Sequence, residues 1–114
     1  MNFKLIDSSF FENERIWNYS LDSNILFNHR KINRVTITDH YRKKQGRENV
    51  NNELIIDLII NKLNFETLEK VEYSGEREVF RWEPWYLENN YRLIFWFKDG
   101  TNNHLWIRNC HRID

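Results

Sequence analysis

The C-terminal stretch Tyr91–Asp114 constrains the fold more than any other part of this sequence. Two apolar, aromatic-rich runs, Tyr91–Phe97 and Leu105–Cys110, flank the pair Asp99-Gly100. An Asp-Gly pair between β-forming runs predicts a hairpin, because glycine accepts the positive φ that a tight reversal needs. The run Leu93–Phe97 is apolar at every position. This strand is therefore predicted to be central in its sheet and covered on both faces.

The preceding residues predict helices followed by further strands. Ser9 and Glu12 have the spacing of a helix capping box, which predicts a short N-terminal helix. Apolar residues at helical spacing predict an amphipathic helix over Asn52–Asn64. Arg34–Thr38 and Glu78–Trp82 alternate between apolar and polar residues, as half-buried strands do. We therefore expect one domain, residues 1–114, of the α+β class, with an antiparallel β-sheet of about four strands and helices packed on one face.

The composition excludes several classes of protein. Cys110 is the only cysteine, so neither an internal disulfide nor a thiolate metal cluster can form. The sequence has no signal peptide and no apolar run near the ~20 residues of a membrane span, so we expect a cytoplasmic protein with no membrane partner. The four histidines lack metal-ligand spacing, and phosphate-loop, dinucleotide-binding and serine-hydrolase motifs are absent. We expect no metal and no cofactor.

Basic residues gather at the ends of the C-terminal strands. Arg92 begins the first strand of the predicted hairpin, and His111 and Arg112 close the second. Because side chains alternate along a strand, the length of the loop decides which of these residues share a face. A two- or four-residue loop puts Arg92 on the side of Asn109 and His111. A three-residue loop puts Arg92 on the side of Arg108 and Arg112.

Clustered guanidinium and imidazole groups suit the chemistry of phosphate esters. Arginine forks bind phosphate oxygens in pairs and neutralise the negative charge that gathers in the transition state. A histidine such as His111 can transfer the proton of the attacking or leaving oxygen. The alternative is that these arginines pair with the glutamates of the acidic segment between Glu48 and Glu88. The predicted catalytic residues of a metal-independent endoribonuclease are Arg81, Arg92, His111, Arg112 and His40.

The segment Arg30–Arg47 is rich in arginine and lysine, and Asp39 is its one acidic residue. A basic helix that also carries an aromatic ring can bind a phosphate backbone and stack on a base. An ordinary solvated helix has the same composition, and the zero net charge of the chain argues against a general polycation. The residues predicted to contact RNA are Tyr41, Arg42, Lys43, Lys44 and Arg108.

Three runs near the C-terminus form a pattern: Glu78–Arg81, Asn90–Phe95 with its Tyr-Arg pair, and the final strand Trp106–Arg112 with its basic end. This last third of the chain resembles the C-terminal half of the RelE/ParE/HigB-like toxins. The resemblance implies a RelE-like fold, in which a helical hairpin packs on an antiparallel sheet. It also implies metal-independent cleavage of RNA by a toxin, with a cognate antitoxin as protein partner. By the same resemblance, Arg81, Arg92 and Arg112 occupy the positions of the basic site residues.

A different class of function fits the same sequence. A non-catalytic binding module, such as an immunity protein, an inhibitor or another protein-binding partner, would suit the balanced charge. Trp85 and Tyr86 follow Pro84 and precede a predicted turn, so we expect them to be the exposed pair in a group of aromatic residues that are otherwise in the core. The group consists of Trp82, Trp85, Tyr86, Trp96 and Trp106. The sequence leaves both functions open.

Overall fold

In the computed structural model, which describes residues 2–43 and 50–113, eight strands form one mixed sheet. The strands are β1 (Phe3–Phe11), β2 (Glu14–Phe27), β3 (Arg30–Thr38), β4 (Glu72–Ser74), β5 (Arg77–Trp82), β6 (Trp85–Tyr86), β7 (Asn89–Phe97) and β8 (His104–Arg112). Their order across the sheet is β1-β2-β3-β8-β7-β5-β4, and β6 pairs with β7. The pairing of β3 with β8 is parallel, and every other pairing between these eight strands is antiparallel.

One face of the sheet, here called the helix face, is covered by α1 (Asn52–Leu58) and the π-helical turn Ile59–Leu63. The side chain of Asn51 caps α1, since its oxygen accepts a hydrogen bond of 2.8 Å from the backbone N–H of Leu54. Five apolar side chains of this helical segment are fully buried, which confirms the predicted amphipathic helix. They are Ile55, Ile56, Leu58, Ile59 and Leu63.

The predicted C-terminal hairpin is confirmed. β7 pairs antiparallel with β8, and Gly100 in the connection has a φ of 76°. β7 lies between β8 and β5, so it is an internal strand. Its helix face is fully buried at Leu93 and Phe95, whereas Ile94 and Trp96 on the other side are only half-buried. The prediction that β7 is covered on both faces is therefore correct for the helix face, and the opposite face of β7 is only partly covered.

The predicted fold class is wrong. An α+β arrangement of about four antiparallel strands under several helices was expected, and the described residues form eight strands in a mixed sheet with one short α-helix. They do not contain the helical hairpin that the toxin resemblance implies. The largest error is at the N-terminus, where Glu12 and Asn13 both have positive φ, 52° and 67°, and reverse the chain between β1 and β2. The capping-box spacing of Ser9 and Glu12 thus lies in a hairpin.

The opposite face of the sheet, here called the open face, has no helix on it among the described residues. Trp106 lies on it and pairs with both Thr36 and Trp96, which therefore share its face. All three alternate along their strands with residues of the helix face. Phe11 at the end of β1 packs on Trp106 of β8, with ring centroids 5.6 Å apart. Since β2 and β3 separate those two strands, the sheet must curl until the end of β1 lies over its own open face.

Candidate functional site

Three of the five predicted catalytic residues lie together on the open face. Arg92 is directly opposite His111 across the β7–β8 pair, and Arg81 is opposite Ile94 two residues further along β7. Asn109 also pairs with Ile94, so the observed arrangement is the one that sets Arg92 beside Asn109 and His111. Arg112, the next residue of β8, belongs to the other side of the sheet.

Carboxylates lie beside several of these basic groups. Arg92 donates from Nε to Oε2 of Glu83, and both side chains are about two-fifths exposed. Arg108 donates from Nη1 to Oε1 of Glu14 at 2.5 Å. The second oxygen of Glu14 lies 3.4 Å from Nδ1 of His40. His40 is thus joined to Arg108 through Glu14, and the positive charge available to a phosphate is smaller than a sequence count of basic residues indicates.

The predicted RNA-binding segment begins with a 3-10 turn, Asp39–Lys43. Tyr41 is only 1% exposed, so its ring offers no surface on which a base could stack. Its hydroxyl donates to Oδ1 of Asn52 at 2.7 Å and accepts from Nε of Arg42 at 3.0 Å, and burial raises its pKa above the usual value. The assignment of Tyr41 as a stacking residue is corrected to a core role.

Arg42, in the same segment, is exposed. Its guanidinium stacks on the ring of Trp17, 4.8 Å from the ring centroid. A cation held over an indole face retains its charge, so Arg42 can still contact a phosphate. The side chain of Lys43 and all of Lys44 lie outside the described residues.

A chain of hydrogen bonds crosses four strands of the open face, and the sequence did not predict it. Nδ2 of Asn18 donates to Oδ1 of Asp7 at 2.6 Å, and Oδ1 of Asn18 accepts from the hydroxyl of Thr36 at 2.5 Å. The Thr36 hydroxyl also lies 2.6 Å from Nε2 of His104. Because its single hydrogen is donated to Asn18, Thr36 accepts from His104, which fixes the Nε2–H tautomer of that imidazole.

The environment of His104 opposes its protonation. Burial, with smaller contributions from the positive charges of Lys98 and Arg34, lowers the pKa of His104 from 6.5 to about 4. Thr36, the residue that accepts its hydrogen bond, is fully buried. The imidazole of His104 is therefore neutral at neutral pH and donates a hydrogen bond, so its role in this row of hydrogen bonds is structural.

The outer edge of β1 is the most exposed apolar feature of the sheet. Leu5, Ile6, Phe10 and Phe11 are 48%, 41%, 71% and 49% exposed. β1 is the terminal strand of the sheet, and no described strand pairs with its outer edge. Trp85 is also exposed, at 54%, as predicted, whereas Tyr86 packs against the core.

The sequence contained a signal for β1 that the capping-box interpretation hid. The residues on both sides of Glu12-Asn13 are aromatic or β-branched at short intervals, which is typical of a hairpin rather than of a helix. The sequence indicates the position of His104 more weakly. His104 is two residues before Trp106 in the same strand, so the two side chains lie on the same face.

The fold and these surfaces define a β-rich domain with a polar chain on its open face and an exposed edge strand. Comparisons of the sequence with models of known protein families and with curated proteins, and of the structure with solved structures, returned no match. Among residues 2–43 and 50–113, no helix is long and apolar enough to cross a bilayer. No group of three or more metal-ligating side chains lies together in that same part of the chain.

Proposed function

We propose that this protein is a non-catalytic binding module that binds an extended segment of another polypeptide along the outer edge of β1. The observation that carries this proposal is the exposure of four large apolar side chains on one terminal strand. An edge strand presents a row of backbone N–H and C=O groups that a partner strand can pair with. Exposed apolar side chains beside that row add the burial that makes such pairing stable.

A second copy of this chain is a poor occupant for the same edge. Two copies of β1 paired antiparallel over their full length would place Asp7 directly opposite its counterpart. Directly opposed like charges destabilise a strand pair. We therefore assign the edge to a partner of different sequence, with a basic residue opposite Asp7 and apolar residues near Phe10.

The outer edge of β1 also has features that limit its aggregation with other chains. The pairing of β1 with β2 shifts register between Leu5 and Asp7, so Ile6 lies in a bulge. Lys4 and Asp7 add charges to the same strand. Bulges and charges of this kind protect edge strands from indefinite pairing. The regular segment that remains, Asp7–Phe11, is the place where a short partner strand would pair.

A displayed library of random ten-residue peptides tests this proposal. Peptides selected on the protein should bind with micromolar Kd, and Ile6→Asp/Phe10→Asp should weaken that binding at least tenfold, because it places charge where apolar side chains are buried. Hydrogen–deuterium exchange should slow at the amides of β1 when peptide is bound, because a new strand protects them.

The matched control is Phe65→Asp/Leu87→Asp, which changes one aromatic and one aliphatic side chain that are more exposed than Phe10 and Ile6 but lie off the edge, at 79% and 67%. It should bind the selected peptides as the parent protein does. Equal loss of affinity in both double variants, or selected peptides that leave exchange in β1 unchanged, would place the binding surface elsewhere.

RNA cleavage is the second candidate function, and one observation favours it. Arg81, Arg92 and His111 share the open face, and Arg92 is directly opposite His111. Two guanidinium groups and an imidazole at that spacing suit a scissile phosphate and a proton transfer. The carboxylate of Glu83 would have to release Arg92 first, and the exposure of that ion pair makes its loss inexpensive.

If the protein cleaves RNA, Arg92→Ala and His111→Ala should each lower the cleavage rate by on the order of a hundredfold. Arg15→Ala, which removes an exposed arginine of β2, should leave the rate unchanged. Cleavage should continue in EDTA. Full activity in the Arg92 and His111 variants would move the site, and absence of cleavage by the parent protein would leave the binding module as the function.

A further inference from the structure

The curl of the sheet forms a partly open cavity of about 340 Å³ on the open face. The rings of Phe11 and Trp106 meet edge to face in its wall, with an interplanar angle of 71°. Ile16, which is 8% exposed, is the third apolar residue of the lining. The volume lies at the lower end of the range for small-molecule sites, about 300–1,000 Å³. The cavity therefore suits a flat ring system and is too small for a large ligand.

The polar part of the lining is held in fixed positions. Arg77 donates from Nε and Nη2 to the two carboxylate oxygens of Asp99, at 2.8 and 2.9 Å. The same guanidinium lies over the ring of Trp96, 5.0 Å from its centroid. Asn18 is oriented by Asp7 and Thr36, so one hydrogen of its amide remains for a ligand.

The charge of the lining selects an anion. Asp99 offsets the charge of Arg77, whereas the ammonium of Lys98 forms no ion pair with any carboxylate of the described residues. The lining residues therefore carry one more positive than negative charge, beside two aromatic rings. The carboxylates next to the lining belong to Asp7, which accepts from the amide of Asn18, and to Glu12, which interacts with Arg77. An ammonium beside an apolar wall binds a carboxylate through a charge-assisted hydrogen bond.

We propose that this cavity binds a small aromatic carboxylate. The ring of the ligand packs against Phe11 and Trp106, and its carboxylate pairs with Lys98 and accepts from the amide of Asn18. This site shares Phe11 with the partner edge, but Ile6 and Phe10 of that edge are not part of its lining. The inference stands whether or not β1 binds a peptide.

The probe is 2-naphthoate, and the neutral 2-naphthamide is its matched control. The five tryptophans give five indole N–H signals in ¹H–¹⁵N spectra, and Trp106→Phe identifies the signal of Trp106. The naphthoate should shift that signal saturably at sub-millimolar concentration. The amide should bind at least tenfold more weakly, because it lacks the charge that pairs with Lys98.

Lys98→Met removes the ammonium and keeps the apolar stem, so it should make the naphthoate bind as weakly as the amide. Lys31→Met, which changes an exposed lysine outside the cavity, should keep the preference for the carboxylate. Ile6→Asp/Phe10→Asp should also keep it, which separates this test from that of the peptide edge. A Trp106 signal that does not move, or a preference that survives Lys98→Met, would overturn the assignment.

Discussion

Phe27→Ala is expected to lower the free energy of unfolding by about 3–5 kcal/mol, the range for loss of a buried aromatic side chain. Phe27 is fully buried, and its ring lies 5.2, 5.5 and 5.8 Å from the rings of Phe80, Phe95 and Phe97. These contacts join the end of β2 to β5 and β7. Removing the ring leaves a cavity that rigid neighbouring rings cannot fill.

The effect should be measured by urea unfolding at fixed pH, with Phe65→Ala as the matched control. Phe65 is 79% exposed, so its loss should change the free energy of unfolding by less than about 0.5 kcal/mol. A small domain has only about 5–15 kcal/mol in total, so Phe27→Leu should be measured in parallel as the milder change. Equal effects of Phe27→Ala and Phe65→Ala would contradict the packing described for the helix face.

Acidification from pH 6.5 to pH 4 is expected to destabilise the protein through His104, since one pKa unit corresponds to about 1.4 kcal/mol. The loss should be smaller than the ~3 kcal/mol that the full shift would give, because solvent screens the partly exposed imidazole. The folded-state pKa of His104 is lowered from 6.5 to about 4. The unfolded chain therefore binds a proton in this window and the folded protein does not. The stabilisation is complete above pH 6.5 and is lost as the pH falls towards 4.

Urea unfolding at a series of pH values tests this sign and this window. The variant His104→Asn removes the titrating group, so its stability should vary less with pH between 6.5 and 4 than that of the parent protein. A ¹³C titration of the His104 ring should give its pKa directly. An unchanged pH dependence in His104→Asn, or a ring that titrates near 6.5, would contradict the burial described here.

The parts of the fold that could be predicted are those whose signals are local. Asp99-Gly100 specifies its turn through the φ that glycine allows, and Asn51 with the apolar stripe of α1 specifies a helix. The turn at Glu12-Asn13 could not be identified in this way, because residues other than glycine adopt its positive φ values. Pairing with the rest of the sheet outweighs the local cost of those backbone angles.

The candidate sites show the same division. From the alternation of side chains along β7 and β8, Arg92 could lie on the same face as His111 or on the same face as Arg112. The bulge at Arg108 is one of the features that place it beside His111. Glu14, which binds Arg108 and His40, lies 94 residues before Arg108 in the sequence. No local pattern connects those side chains. The cavity beside Trp106 depends on the curl of the whole sheet, which is a property of long-range packing.

The parallel pairing of β3 with β8 also limits the order in which the sheet can assemble. β1, β2 and β3 form one antiparallel meander from adjacent sequence, and β5, β7 and β8 form another. Arg34 and His104, the first paired residues of β3 and β8, are 70 residues apart in the sequence. Such a long loop carries a large closure entropy, which slows folding. During synthesis on the ribosome, β3 can pair with β8 only after β8 has emerged, and before that its free edge is open to misassociation.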